Sequence, residues 1–452
     1  MILLRNNIKI ALMALTLSTP AIAQVTDLEG LYSLAQKNDP LLSQAKLQAE
    51  MAGDAVSATS ASLLPQINSY FGYQYLNDNR GVEANYGGDG QAVVVGAQLS
   101  QMLYSPAVKL AVEVANQDAT IADLLVDKAS DALVLRTATA YFNVLRAREM
   151  VGVANANLET IGEFRDQTAT RVRLGLTADL DLQEAQARYD RAAANIINAE
   201  ALLSQRLDAL TTLTGETFSD VDPLDVNRFS PAIPTPSYGR SWHEMAMANN
   251  YDLRLTTFSI DKARTQVRQA KAGHKPSVIF SAGVNQELLM DVFSLNSNPG
   301  GDGFKMDNLT EVEVGVTAHL PLYSGGRTSA MVRIAQSGLE TAQSVNDQTA
   351  RSITELVNTT ERFSVASLKS LKAHEQSLVS AKSALIAVEK GYEVGSRTMA
   401  EVLAANTAVF AAENAVNNAR FDFIERTLTL KFIAGELSGD DISALNAGLV
   451  RN

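Results

Sequence analysis

Between Pro65 and Pro106 the chain alternates apolar and polar residues with a period of two. Ile67, Phe71, Tyr73 and Tyr75 stand against Gln66, Asn68, Gly72 and Gln74, and then Val93, Val95, Ala97 and Leu99 against Gly96, Gln98 and Ser100. That period belongs to strands with one apolar and one polar face. The linker carries Asn77-Asp78-Asn79-Arg80 and Gly87-Gly88-Asp89-Gly90, which is turn and loop chemistry, so a strand pair over about 65–104 is predicted. The pattern returns after Pro276. Val278, Phe280, Ala282 and Val284 share one face, and Val312, Val314, Val316, Ala318 and Leu320 alternate with Glu311, Glu313, Gly315, Thr317 and His319. A second pair over about 276–322 follows, its loop marked by Gly300-Gly301-Asp302-Gly303.

From Pro106 to about Leu213, and again from Gly326 to about Ile433, the period becomes helical. Ile121, Leu125, Ala132, Leu135 and Phe142 form a heptad stripe, which favours left-handed coiled packing. No proline interrupts either segment; the strong breaks are at Gly175 and Gly395, read as turns between antiparallel helices. The leg from Pro106 to Leu174 would run roughly 100 Å if straight. Such a rod has no core of its own, so its narrow apolar stripes call for covering helices from the other half and from other protomers. The proline-rich stretch Asp222 to Pro236 reads as an irregular connector, and Gly439 to Asn452 as peripheral.

These features recur because the chain is duplicated. Leu103-Tyr104-Ser105 returns as Leu322-Tyr323-Ser324, Gly175 as Gly395 and Gly215-Glu216 as Gly435-Glu436, at offsets of 219, 220 and 220. The expected divisions are a cleavable signal at 1–23, a first repeat at 24–216, a connector at 217–237, a second repeat at 238–437 and a C-terminal segment at 438–452. The signal rests on Arg5 and Lys9 ahead of the apolar run from Ile10 to Leu17, closed by Ala21-Ile22-Ala23.

Charge and composition remove several function classes. The formal net charge is -12, and loss of Arg5 and Lys9 with the signal makes it -14, so no electrostatic footprint for nucleic acid is expected. The absence of cysteine excludes disulfides, thiolate metal sites and a lipidated N-terminal cysteine. His243, His274, His319 and His374 are scattered without metal-ligand spacing, no glycine-rich phosphate loop follows a strand into a helix, and no nucleophile stands beside a base. No catalytic residue, metal or cofactor is therefore expected, and Trp242 reads as a packing residue.

Alternating strands of about 10 residues, polar loops, a secretory signal and no segment of roughly 20 apolar residues match an outer-membrane barrel better than a soluble sandwich. Four strands are too few, since single-chain barrels start at about 8. A trimer would supply roughly 12. The competing reading is a periplasmic coiled-coil adaptor or structural protein with a soluble sheet.

At this level the chain resembles the TolC-like outer-membrane efflux and secretion channels. The resemblance lies in Leu322-Tyr323-Ser324-Gly325-Gly326 at a strand-to-helix junction, and in Gly175-Leu176 with Asp181-Leu182-Gln183-Glu184-Ala185-Gln186 at one helix tip. It continues in Tyr392-Glu393-Val394-Gly395-Ser396-Arg397-Thr398 with Glu401-Val402-Leu403 at the other. It implies an α+β membrane protein: a homotrimer whose 12-stranded barrel, four strands per protomer, sits in outer-membrane lipid and continues as an antiparallel coiled-coil helical barrel across the periplasm. It also implies a passive duct opened at its periplasmic tips when a periplasmic adaptor (membrane fusion) protein docks, in partnership with an inner-membrane pump or ABC transporter. By position, Tyr392 and Arg397 would be gate residues and Asp181 their acceptor on the neighbouring coil. Glu401 would form an acidic ring at the entrance, and Leu174, Gly175, Leu176, Val394, Gly395 and Ser396 would be the docking tips. The family's second acidic position falls on Ala404 here, which weakens the expected ring.

Overall fold

The computed structural model describes residues 24–77, 89–225, 231–233, 235–236, 239–291 and 308–449. The expected signal, Gly87-Gly88 of the first inter-strand loop, the whole Gly300-Gly301-Asp302-Gly303 stretch and part of the proline-rich connector lie outside them, whereas Asp89 and Gly90 belong to β3. In order the elements are β1 (Gln24–Thr26), α1 (Leu28–Asn38), α2 (Pro40–Ala61), β2 (Gln66–Asn77), β3 (Asp89–Tyr104), α3 (Pro106–Arg173), α4 (Asp179–Thr214) and β4 (Phe218–Val221). There follow α5 (Trp242–Asn249), α6 (Tyr251–Ala272), β5 (Ser277–Asp291), β6 (Asn308–His319), α7 (Arg327–Glu393), α8 (Met399–Ala434) and α9 (Gly439–Asn446). The duplication is visible element by element. Helices α2 and α6 each hold 22 residues and α4 and α8 each hold 36. Asp39 Oδ1 accepts from the Leu42 N–H at 2.7 Å and Asn250 Oδ1 from the Leu253 N–H at 3.1 Å, so the first pair is even started the same way. No helix among the described residues is long and apolar enough to cross a membrane.

Two compact units emerge, one of residues 44–129 and 246–355, the other of residues 1–43, 130–245 and 356–452. The first contains a four-stranded antiparallel sheet in the order β2-β3-β5-β6. Its register aligns the apolar stripes: Ile67 lies opposite Leu99, Leu99 opposite Ala282, and Ala282 opposite Val314. One residue along, Asn68, Gln98, Gly283 and Glu313 form a polar row on the other face. Because side chains alternate with a period of two, a slip by one residue would mix the faces. The apolar face is open in the single chain, with Ile67 74%, Phe71 75% and Val314 68% exposed. Strands β2 and β6 each keep one unpaired edge.

In the same unit α3 and α6 lie antiparallel and are joined by polar contacts. Arg268 pairs with Glu113, Gln117 Nε2 donates to Thr265 Oγ1 at 3.1 Å, Lys262 pairs with Asp118 at 2.7 Å, and Lys128 with Asp252 at 2.5 Å. These contacts keep a single register, since each step forward on α3 is matched by a step back on α6. The heptad expectation for α3 needs adjustment here: Leu125 is 38% exposed and its neighbour Leu124 only 3%.

The other unit is cored by Leu28 and Leu31 of α1, Tyr141, Phe142 and Leu145 of α3, Leu210 of α4, Phe218 and Val221 of β4, and Phe421 and Leu428 of α8. The α3 stretch from Leu133 to Leu145 buries Leu133, Val134, Thr137, Ala138, Tyr141, Phe142, Val144 and Leu145. That is a double stripe, wider than the predicted heptad seam, because this part of α3 is covered from more than one side. The C-terminal segment is also not peripheral. Ile442 of α9 and Leu449 complete the core, and Asn446 accepts from the Leu28 N–H at 3.1 Å while donating to Asp27 at 3.0 Å. Strand β4, which pairs in parallel with β1, ends just before the proline-rich stretch, and within that stretch Leu224 bridges Leu449. The hydroxyl of Tyr141 donates to the Asp222 carbonyl at 2.7 Å; burial, with Asp222, Asp27 and Asp220 nearby, pushes its pKa up and keeps it neutral. Trp242 is buried, as expected of a packing residue.

Arg136 grips Asp39 with two hydrogen bonds of 2.9 Å, and the Asp39 side chain is only 2% exposed. Burial alone would raise the Asp39 pKa, but the Arg136 guanidinium and the Leu42 N–H outweigh it and hold the pKa below the usual 3.8. Arg136→Ala is therefore expected to destabilise the fold by about 3–5 kcal/mol, because it strands a buried carboxylate. Lys128→Ala, at a pair half open to water, should cost about 1 kcal/mol or less. The difference is measurable as a denaturant midpoint in detergent. With a lowered folded-state pKa, the Asp39 contribution is complete above pH 3.8 and disappears as pH falls through the lowered value, so Asp39→Asn should flatten that part of the acid-denaturation curve.

Candidate functional site

The two helix tips are built on the same backbone device. At Gly175 the Leu176 N–H bonds to the Arg171 carbonyl at 2.9 Å and the Gly175 N–H to Val172 at 2.9 Å; at Gly395 the Ser396 N–H reaches Gly391 at 2.8 Å and the Gly395 N–H reaches Tyr392 at 3.0 Å. Both are Schellman closures, which need a left-handed residue, and the glycines have φ of 71° and 75°. The turns leave Leu174, Leu176, Leu180 and Val394 exposed.

Behind the turns the helices share a small core of Ile161, Ala185, Ala192, Met399, Val402 and Leu403, with Tyr392 packed against it. Buried positions on α8 recur every seven residues, at Val402, Val409, Val416, Phe423 and Leu430. On α4 the buried set Ala185, Ala192 and Ala199 has the same spacing. This is the period kept by left-handed supercoiled helix pairs.

The polar groups differ between the tips. In the first, Ala178 is the N-cap of α4 and offers no side-chain cap, and the Thr177 hydroxyl donates to the Asp181 carboxylate. In the second, Thr398 and Glu401 form a capping box: the Glu401 N–H donates to Thr398 Oγ1 at 3.3 Å and the Thr398 N–H to Glu401 Oε2 at 2.7 Å. Arg397 Nη1 adds a bond of 2.7 Å to Glu401 Oε1. The Thr398 N–H, then Arg397, hold the Glu401 pKa below the usual 4.5. Arg171 stacks on the Tyr392 ring, 4.7 Å from its centre.

The structure thus gathers Tyr392, Arg397 and Glu401 at one tip and Asp181 at the other. Within the chain no hydrogen bond or ion pair among the described residues joins Asp181 to Tyr392 or Arg397. Three contributors escaped the sequence reading. Thr398 was legible as the start of a Thr-x-x-Glu box, whereas Arg171 carried no local signal. Gly391 is the third: a Cβ there would lie 2.6 Å from Cγ of Arg397, so its bareness lets the Arg397 stem lie against α7. No group of three or more metal-ligating side chains occurs among the described residues.

Residues 31–216 and 242–436, one stretch in each repeat, match the outer membrane efflux protein family. The chain belongs to that family. As a member it is 33% identical over 434 residues to the outer membrane protein TolC of Vibrio cholerae, covering 96% of each chain. It is 27% identical over 428 residues to the alkaline protease secretion protein AprF of Pseudomonas aeruginosa, covering 93% of this chain and 86% of that one. Among solved structures, the CmeC outer membrane channel of Campylobacter jejuni has the same fold, with a TM-score of 0.74 at 16% identity over 94% of this chain and 90% of that one.

Thr398→Ala should loosen the start of α8 by about 1 kcal/mol, measured as faster amide exchange over Met399–Leu403 relative to the first turn of α4, which has no side-chain cap to lose. Because the Glu401 pKa is lowered, its help to this turn is complete above pH 4.5 and is lost as pH falls below that value; the protection of these amides should fall over the same interval in the parent chain but not in Glu401→Gln.

Proposed function

We propose that this protein is the outer-membrane exit channel of drug efflux and type I protein secretion. In this reading three copies close a 12-stranded barrel, four strands from each, and the long helices continue the duct across the periplasm to the tips. The observation that carries it is the sheet: one face apolar yet open, one polar, and two edges without partners. Lipid outside and water inside demand that combination, and an adaptor or structural protein of the periplasm has no use for it. Similarity to TolC and to a protease secretion protein supports both export roles.

The tips then act as the gate. Asp181 of one copy accepts from Arg397 and Tyr392 of a neighbour when the duct is shut. Each of these groups also has a resting partner inside its own chain, namely Thr177 for Asp181, Glu401 for Arg397 and Arg171 for Tyr392. A link that competes with such partners is easily traded, which suits a latch released when the periplasmic adaptor docks on Leu174, Gly175, Leu176, Val394, Gly395 and Ser396. Three Glu401 carboxylates ring the entrance and favour cations, their charge partly masked by Arg397. The energy for transport comes from an inner-membrane pump or ABC transporter, so the duct needs no fuel site of its own.

The test is single-channel conductance in a planar bilayer with the detergent-solubilised mass. A trimer with small cation-selective openings is expected, and Tyr392→Phe with Arg397→Ser should raise the conductance several-fold. A soluble monomer without conductance would overturn the channel reading, while a trimer indifferent to the double change would remove the latch assignment. Adding Glu401→Gln to the loosened variant should lower its cation selectivity.

A further inference from the structure

Gly391 stands in the last turn of α7, which runs to Glu393, and it does not take the positive φ that nearby Gly395 takes. Its backbone conformation is therefore open to any residue, and glycine there weakens the helix relative to alanine. The duplicated half shows that the turn itself does not require it. The counterpart of Gly391, 220 residues earlier, is Arg171. The Arg171 carbonyl accepts from the Leu176 N–H at 2.9 Å, just as the Gly391 carbonyl accepts from the Ser396 N–H at 2.8 Å. The same closure thus forms with a long side chain at this position, and that side chain leaves the turn to stack on the Tyr392 ring.

What differs is the residue six positions further on, which is Thr177 in the first tip and Arg397 in the second. Thr177 is short, and its hydroxyl is engaged with Asp181. Arg397 is long, and a Cβ on Gly391 would lie 2.6 Å from its Cγ but 3.4 Å from its Cβ. The second distance is ordinary contact and the first is an overlap. Cγ can escape only by rotation about χ1, and that rotation carries the whole side chain with it. In the rotamer that the bare glycine admits, Arg397 Nη1 reaches Glu401 Oε1 at 2.7 Å. The two side chains are 55% and 42% exposed, so the ion pair is too solvated to fix a long side chain by itself. Gly391 adds a seat for the stem. Its carbonyl also accepts from the Arg397 N–H at 3.2 Å and from the Ser396 hydroxyl at 2.9 Å, which fixes the backbone from which the stem starts.

We propose that Gly391 is a positioning residue of the gate: it seats the Arg397 stem against α7 and so keeps the guanidinium on Glu401, in competition with the acceptor on the neighbouring copy. The seat is a property of the single chain, whereas its effect on the gate rests on the channel reading above. A methyl group at this position excludes the resting rotamer and leaves Asp181 of the neighbour as the partner still open to the guanidinium. The linked, shut arrangement then gains population, because the state that competed with it has been removed.

Amide exchange in the detergent-solubilised chain tests the seat without reference to conduction. Arg397→Ala should speed exchange over Met399–Leu403 at least twofold in the parent chain and change nothing further in Gly391→Ala, where the pair is already lost. With Arg397→Ala in place, adding Gly391→Ala should slow exchange over Val394–Ser396 by about threefold or more, because alanine is the better helix former and nothing opposes it. If Gly391→Ala speeds exchange at the turn equally with and without Arg397, the glycine serves the turn and the proposal falls. Planar-bilayer recording tests the gate. Gly391→Ala should lower the open probability of the trimer at least threefold, and should have no effect once Arg397→Ser has removed the stem. A Gly391→Ala trimer that passes the exchange test yet opens as often as the parent, or more often, removes the effect on the gate. A parent chain that does not conduct overturns the channel reading and leaves the seat standing. Should Gly391→Ala lower the yield of folded protein, adding Arg397→Ala should restore it, and failure of that rescue overturns the seat.

Discussion

A strand edge placed in hydrocarbon has no water to satisfy its N–H and C=O groups, and that single requirement governs this molecule. Among the described residues one sheet of four strands carries a continuous apolar face and leaves β2 and β6 with bare edges. Such a sheet is neither a stable soluble domain nor a viable membrane insertion by itself. In the proposed channel, closure by identical copies would resolve both problems, because each added copy would satisfy one edge of its neighbour and the last would satisfy the first. In that assembly the long helices would share the symmetry, and so would the proposed gate at their ends.

Much of this was legible in the residues because the periods are unambiguous. Alternation located β2, β3, β5 and β6 closely, and Gly175 and Gly395 marked the tips because only a residue at ease with positive φ closes those turns. What escaped depends on distant contacts. Leu124 and Leu125 are equally apolar, and which of them is covered depends on the neighbouring elements rather than on α3. The segment around Ile442 has too short a pattern to announce that it packs on α1, and Asn446 looks like any polar residue until it meets Asp27 and Leu28. Similarly, β4 owes its strand character to β1, nearly 200 residues earlier in the chain. The same limit applied at the tips, where Thr398 and Glu401 formed a readable local motif but the Arg171 stack on Tyr392 joined two separate helices.

The two units also differ in how they are held together. Around Tyr141 and Phe142 the interior is apolar, closed by a few buried polar links such as Arg136 to Asp39. Between α3 and α6 the junction relies on a ladder of charged and hydroxyl groups that stay partly in water. Exposed ion pairs contribute little stability each, but a ladder with one register penalises sliding, since a shift of one turn breaks every pair together. Register, more than strength, is what that junction supplies. It matters because the strands adjoining these helices, β3 before α3 and β5 after α6, must meet with no error of parity.

Duplication explains why the two halves repeat the same elements, and differences between the halves explain why the tips are not equivalent. Asp181 and Glu401 occupy corresponding positions 220 residues apart, as do Thr177 and Arg397. The first half has a hydroxyl beside its carboxylate and no side-chain cap at Ala178; the second has a capping threonine and a guanidinium on the same carboxylate. One tip therefore offers an acceptor with a weak local partner, and the other offers a donor whose local partner is a full charge. A gate assembled from two identical tips would have no such gradient. In the proposed gate, unlike tips would hold the donor near its own helix until a neighbouring acceptor competed for it, so that the position of the equilibrium would depend on tip spacing, the quantity a docking partner could alter.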